Sequence, residues 1–351
     1  MTTATTDPNT VFLSAVLVIA LGYVLRKVGL VTREHGNILA KLVINVTLPA
    51  LILETLPGVE LSVSLLFLPL LALGHSAVAF VVATALFRRR PPAERGLMTM
   101  CSMGFNNGLF AFPIVMGIWG TEAVRMLAIF DVGNGLTVLG INYVVAGWFG
   151  GLAAAAGARG AGAAGGAHGT DDGRADDGPA ENPAGTGVAA GAAATLSIAE
   201  ALRRIGRTLV TSVPMVVFLF ALVLNLTGWR LPAPLERGVS TVAAANGALA
   251  LLVLGIFQSL RVRRSDLPII VRVLGVRYVV GALLAVSSIM LLGVTPLYRQ
   301  VLAIIFILPI GMTSIPFSVE FGLDTRLTTT LVNLSIVVSF VIMWGVVAVT
   351  G

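Results

Sequence analysis

Apolar runs of about 20 residues recur along this chain from Val11 almost to its C-terminus, and they decide what it can fold into. A helix of about 20 apolar residues spans the roughly 30 Å hydrocarbon core of a bilayer and satisfies its own backbone N–H and C=O groups there. Composition agrees, because 56% of the 351 residues are hydrophobic and only 11% are charged. Soluble domains carry about a quarter charged residues and disordered chains are more polar still, so both classes are excluded. The expected fold class is therefore an all-α integral membrane protein.

Apolar windows predict ten transmembrane helices, at 10–30, 36–56, 64–87, 96–119, 123–149, 206–227, 238–260, 267–292, 297–320 and 325–349. Between the fifth and sixth lies 151–200, rich in Ala and Gly and carrying Asp171, Asp172, Asp176, Asp177 and Glu181, which reads as a flexible linker. The expected organisation is a first five-helix repeat at 1–150, the linker, and a second five-helix repeat at 201–351. Of the 23 Lys and Arg, 19 fall in or beside odd-numbered connections and 4 in even-numbered ones. Basic residues favour the cytoplasmic side, which places the linker inside the cell and both termini outside. Five helices per half is an odd number, so related halves must insert with opposite orientation, as inverted repeats do.

The net charge of +6 sits mostly beside the apolar runs, at residues such as Arg26, Lys27, Arg88 to Arg90, Arg203, Arg204, Arg261, Arg263 and Arg264. It sets topology there, and no basic patch is interleaved with aromatic residues, so no nucleic-acid partner is expected. Cys101 is the only cysteine, which removes disulfides and cysteine metal sites from consideration. Met1 to Thr10 lacks a basic n-region, so no cleavable signal is expected.

The sharpest internal signal is a repeated Gly-x4-Pro pattern. Gly108-Leu-Phe-Ala-Phe-Pro113 lies in the fourth window and Gly311-Met-Thr-Ser-Ile-Pro316 in the ninth. Proline removes a donor and clashes with the preceding turn, while glycine leaves helical geometry cheaply, so both spans should break near their middles. Paired interruptions in matching spans are the best sequence pointer to a transporter site. Pro113 and Pro316 suit the first turn of the following half-helix, whose N–H groups would attract an anion. Carbonyls around Phe105 to Gly108 and Leu308 to Gly311 would hold a cation or water. Asn106 and Asn107 add amides beside the first break, and Thr313 and Ser314 add hydroxyls beside the second. A carboxylate fits this set.

Ionisable residues within apolar spans are costly and mark function by default. Asp131 lies about 12 Å into the fifth span, at i,i+3 from Asn134, and the pair is a candidate for proton or sodium coupling. A hydrogen-bond acceptor for a neighbouring broken helix is the structural alternative. Thr329, Thr330 and Asn333 form a comparable polar stripe on the tenth span. His75 is expected to hydrogen-bond between helices, and Arg272 and Arg277 to snorkel to the interface, with a hold on a second carboxylate as the alternative for the arginines. Glu54 should be solvated, while Glu320 and Asp324 suit a helix end or gate.

These stretches resemble the auxin efflux carrier family, whose fold is shared with bile-acid:sodium symporters. The likeness rests on Gly22-Tyr-Val-Leu-Arg-Lys-Val-Gly-Leu with Asn45-Val-Thr-Leu-Pro-Ala, on Gly104-Phe-Asn-Asn-Gly-Leu-Phe-Ala-Phe-Pro113, on Asp131-Val-Gly-Asn134, and on Pro316, Gly322-Leu-Asp324 and Asn333. The resemblance implies broken, crossing fourth and ninth helices that bind an organic anion near Asn106, Asn107, Pro113 and Pro316. It also implies a mobile bundle moving against a scaffold. Neither auxin nor kinase control is carried over, since the family also looks to include bacterial dicarboxylate carriers and this linker offers few phosphorylatable positions.

The expected function is a secondary transporter carrying a small organic anion, auxin-like or a dicarboxylate, across a plasma membrane such as a bacterial inner membrane by alternating access. No cofactor beyond coupling Na+ or H+ is expected; the partners are substrate, lipid bilayer and a second copy in a homodimer. A sodium- or proton-coupled symporter is the alternative within the class, and a non-transporting receptor or channel the alternative outside it. An intramembrane enzyme is disfavoured by the lack of His-Glu-x-x-His, Gly-x-Ser-x-Gly or clustered carboxylates.

Overall fold

Backbone hydrogen bonds that close within one segment dominate this chain, as the apolar runs require. The computed structural model describes residues 7–57, 63–165, 203, 206–207, 210–259, 262–292 and 295–350. Among them there is no named strand, only an isolated antiparallel bridge between Phe105 and Ile310.

Helix α1 covers Pro8–Lys27, opened by an Asp7 side chain that accepts from the Asn9 N–H and closed by Arg26 and Lys27. Helix α2, Arg33–Leu42, passes through a π turn at Val43–Thr47 into α3, Leu48–Thr55. Helices α4, Val63–Leu86, and α5, Pro92–Ser102, follow. A second π turn, Asn107–Ala111, leads into α6, Phe112–Gly135, and a third, Leu136–Ile141, joins α6 to α7, Asn142–Gly165. The first two π turns each end two residues before a proline, Pro49 and Pro113. A proline cannot donate to the carbonyl four residues back and its ring presses on that turn, so the ladder widens just before it.

The second part of the chain contains α8, Val213–Thr227, α9, Ala233–Phe257, and α10, Leu267–Leu292. It closes with α11, Pro296–Ile305, the short α12, Ser314–Glu320, and α13, Thr325–Thr350. Seven helical stretches among the described residues are long and apolar enough to cross a membrane: Pro8–Lys27, Arg33–Thr55, Leu65–Leu86, Asn107–Ala156, Ala233–Phe257, Arg264–Leu292 and Thr325–Val349. Asn107–Ala156 joins the fourth and fifth sequence windows, and inside it Gly120 takes φ 70° and ψ −158°, outside helical geometry. The sixth window appears as the 15-residue α8, and the ninth is divided between α11 and α12.

The start of the linker differs from the sequence reading. Helix α7 runs on to Gly165, through Ala153 to Ala156, where helix propensity is high, and on past Gly157, Gly160 and Gly162. The rest of the proposed linker, 166–200, lies outside the described residues.

Polarity is arranged for lipid. Leu17, Leu283, Met290 and Leu291 are more than 60% exposed, whereas Asn107, Asn142, Asn246 and Arg277 are at most 1% exposed. In water that arrangement would be unstable, and in a bilayer it places apolar groups against acyl chains. Helices α1 and α9 approach closely at Gly22 and Gly255, where a Cβ on either glycine would meet backbone of the other helix. One turn further on, the Arg26 guanidinium donates to the carbonyls of Ile256 and Gln258 and closes the C-terminal end of α9.

Candidate functional site

Two helix interruptions meet backbone to backbone in this protein. Helix α5 stops at Ser102 and the chain leaves helical geometry through Met103–Asn106; α11 stops at Ile305 and 306–313 lead to α12. At the Phe105–Ile310 bridge, the Asn106 N–H donates to the Pro309 carbonyl at 2.9 Å and the Gly311 N–H to the Gly104 carbonyl at 3.4 Å. The crossing thus satisfies backbone groups that each break would otherwise leave exposed in hydrocarbon.

Helix α6 brings a carboxylate to this crossing. Asn134 holds Phe105 at both ends, its Oδ1 accepting from the Phe105 N–H at 2.8 Å and its Nδ2 donating to the Phe105 carbonyl at 3.1 Å. The same Nδ2 donates to Asp131 Oδ1 at 2.8 Å, and Asn107 Nδ2 donates to that oxygen at 2.7 Å. Asp131 therefore takes two amide donors, one from its own helix and one from the broken segment.

A cavity of about 160 Å³ opens beside these groups. One water needs roughly 10–15 Å³ on this measure, so the space holds on the order of ten waters or one small organic molecule. Asn106, Asn107, Asp131, Asn134, Ser212 and Thr313 supply its polar part, and Ile44, Leu48, Ile52, Val138, Met215 and Phe218 its apolar part. All three π turns contribute to the lining, through Ile44, through Asn107 to Leu109, and through Val138 and Leu139. Among the described residues no Lys, Arg or His lines it. Asn106 Nδ2 and Asn107 Oδ1 are buried with no hydrogen-bond partner among the described residues, which leaves one donor and one acceptor for a guest.

The sequence candidates divide on this geometry. Asn106, Asn107, Gly108, Asp131, Asn134, Gly311 and Thr313 line the cavity together. Pro113, Ser314, Pro316 and Asn333 do not belong to the lining. Pro113 occupies the first turn of α6 and a Cβ on Gly247 of α9 would stand 3.7 Å from its ring, whereas Pro316 is exposed on α12. Ser314 and Asn333 are buried, with Ser314 Oγ and Asn333 Nδ2 unpartnered among the described residues. Thr329 and Thr330 bond back to carbonyls of their own helix at 2.8 and 3.0 Å.

His75 and Arg277 depart from expectation. His75 is fully buried against the rings of Phe105 and Phe306, with centroids 4.5 and 5.9 Å away, and neither ring nitrogen has a partner among the described residues. Arg277 does not snorkel; among the described residues it pairs with no carboxylate, and it does not line the cavity. It is 0% exposed and donates to the carbonyls of Met103, Leu308 and Pro309, so the carbonyls read as a cation or water site at the second break are met by the chain itself. The position carried a signal: Arg277 stands ten residues into α10, roughly 15 Å deep, and about 140° around the helix from Arg272, which is exposed. Glu54 is exposed as expected, Glu320 accepts from the Tyr143 hydroxyl at 2.7 Å, and Asp324 caps α13 through the Leu327 N–H at 2.9 Å.

A family model described as membrane transport protein, the domain of the auxin efflux carriers, matches residues 10–347. The chain belongs to this family. The match covers both interrupted helices and the α6 carboxylate, so the crossing lies inside the family domain. An uncharacterized transporter of Methanothermobacter thermautotrophicus is 22% identical over 342 residues, 95% of this chain and 96% of the relative. An uncharacterized transporter of Methanocaldococcus jannaschii is 26% identical over 134 residues, 36% of this chain and 43% of that relative. This family member is accordingly a multi-pass membrane transport protein, and both relatives carry the name of transporter rather than enzyme.

Asn107 is the residue to test first at this site. Asn107→Ala removes a donor to Asp131 and an unpartnered acceptor with little apolar burial lost. A hydrogen bond to a charged group is worth about 1.5–3 kcal/mol, so ligand affinity should fall roughly ten-fold or more in a protein that still folds. Titration of purified mutant by thermal shift checks this, and wild-type affinity would remove Asn107 from the site.

Proposed function

We propose that this family member is a secondary transporter of small organic anions, working by alternating access about the crossing of two broken helices. The observation that carries the reading is the backbone bridge between Phe105 and Ile310 beside a cavity lined by Asn106, Asn107, Asp131 and Thr313. Broken helices packed against each other, with unpartnered amides at a small cavity, are the membrane arrangement expected for a midplane binding site.

Ten spans as two inverted five-helix repeats is the architecture favoured here. The 50-residue stretch Asn107–Ala156 would be about 75 Å long as one helix, more than twice the hydrocarbon core, so it is read as two crossings with the turn at Gly120. Helices α5, α8, α11 and α12 supply the crossings that fall below the length of a full apolar helix. Charge asymmetry favours a cytoplasmic linker with both termini outside, and we read the membrane as a plasma membrane.

Coupling to a proton is the favoured form. An anionic guest would share the cavity with Asp131, and no cationic side chain lines it among the described residues. Two like charges in one small site repel strongly, so the anion enters with a proton on Asp131. Sodium bound at Asp131 would relieve the same repulsion and is the second reading.

A thermal-shift panel of mono- and dicarboxylates, including indole-3-acetate, across pH and sodium concentration tests this. A ligand at 100 times its Kd stabilises by about 2.7 kcal/mol, so a saturable ranking of carboxylates is the expected outcome. Stabilisation by neutral or cationic analogues with no response to any carboxylate would overturn the anion reading.

A further inference from the structure

We propose that the crossing contains a cation site made of the backbone carbonyls of Met103, Leu308 and Pro309, that the chain fills it with its own Arg277, and that Arg277 thereby positions Asn106 and Asn107. The positioning role rests on the reading of the cavity as the substrate site; the cation site does not.

The carbonyls are available because the helices are interrupted. The last carbonyls of a helix have no intrahelical donor and stand at the negative end of its dipole. Met103 directly follows α5, while Leu308 and Pro309 lie in the non-helical segment after α11, where no helical ladder supplies their carbonyls with donors. Broken helices in carriers present such carbonyl ends to coupling cations. Here four N–H contacts of one guanidinium take them: Nε and Nη2 to Leu308 at 3.0 and 2.7 Å, Nη1 to Met103 at 2.7 Å, and Nη2 to Pro309 at 2.8 Å. Its carbon also lies 4.6 Å from the centroid of the Phe105 ring, a cation–π contact.

Arg277 is 0% exposed, and among the described residues no carboxylate pairs with it. An uncompensated buried charge would be strongly destabilising, so the carbonyls and the ring are its counterpart. Because the guanidinium grips both breaks at once, it ties the α5 side of the crossing to the α11 side.

The connection to the cavity is short. Pro309 O receives the Asn106 N–H as well as Arg277 Nη2, and Phe105, under the guanidinium, is held by Asn134. Loss of the guanidinium therefore releases the backbone that sets Asn106 and Asn107.

Chemical rescue tests this. In purified Arg277→Ala, carboxylate affinity by thermal shift should fall at least ten-fold. Guanidinium chloride at low millimolar concentration, well below denaturing levels, should raise the melting temperature of the ligand-free mutant and recover most of the affinity. Choline chloride, too large for the gap, should do neither, and wild type should respond to neither salt. Arg277→Lys keeps a cation with three donors and should fall between wild type and Arg277→Ala. Equal effects of guanidinium and choline on the mutant, or an Arg277→Ala protein that binds like wild type, would overturn the proposal. Should Arg277→Ala not fold, Arg277→Lys is compared with Arg277→Met: a folded Lys variant with weakened binding supports the cation site, and Lys as defective as Met overturns it. Guanidinium-specific stabilisation with no carboxylate response in any variant would leave the cation site standing and remove the positioning role together with the anion reading.

Discussion

Asp131→Asn is expected to abolish the dependence of uptake on its coupling ion while leaving a measurable carboxylate site. The amide keeps the size of the side chain and its oxygen can still accept from Asn107 and Asn134, which now donate to Asp131 Oδ1 at 2.7 and 2.8 Å. What it loses is the charge that, in the proposed mechanism, a proton or sodium ion neutralises. Wild-type protein in proteoliposomes should take up its carboxylate faster with an inward proton or sodium gradient; the mutant should exchange substrate at a rate indifferent to either gradient. Binding should persist at a pH where the wild type has begun to lose it, because repulsion from the ionised side chain is gone. If Asp131 is instead only an acceptor that orders the broken segment, the mutant will fold poorly or bind less at every pH with its ion dependence intact. That pattern would refute the coupling role and leave the cavity untouched.

Gly281→Val should cause the largest loss of folded protein among single substitutions at the crossing. Gly281 lies one turn beyond Arg277 on α10, and a Cβ placed there would run into the Phe306 backbone at the end of α11. A backbone carbonyl cannot swing aside as a side chain can, so the helices must separate. Overpacking alone costs about 1–3 kcal/mol. Separation also draws Arg277 back from the carbonyls of Leu308 and Pro309 and strands a buried charge, which adds to that cost. Melting of the detergent-purified protein should fall clearly, with Gly281→Ala intermediate between wild type and Gly281→Val. A Val variant that melts and binds like wild type would show that α10 and α11 have room to spare.

The periphery of the molecule was legible in the sequence and its centre only partly so. Apolar runs located α1, α4, α9, α10 and α13 to within a few residues, because a helix facing lipid has few ways to be apolar other than continuously. The Gly-x4-Pro pairs marked both interruptions, and the i,i+3 spacing marked Asp131 and Asn134 as one unit. The prolines themselves shape the backbone without lining the cavity, since a residue that opens a helix need not face the ligand. Arg277 escaped because its partners are carbonyls, which every residue has, freed by breaks 31 and 174 positions away. Its depth in α10 was the available clue. The end of α7 differs from the sequence reading because an Ala- and Gly-rich composition suits both a helix and a low-complexity segment and does not separate the two.

The grip of Arg26 on the end of α9 has a consequence for biogenesis. Its carbonyl partners, in Ile256 and Gln258, are made 230 and 232 residues later. At about 5–20 residues per second, α1 leaves the ribosome roughly 10–45 s before α9 exists. During that interval the guanidinium has to sit among the headgroups at its end of α1, where its long stem lets it stay hydrated. The first helix is thus inserted as an orphan and recruited afterwards, and the small surfaces of Gly22 and Gly255 give it a unique place to dock when its partner arrives. Premature termination anywhere before α9 would leave a membrane-inserted product with that docking face uncovered, a form suited to recognition by membrane quality control.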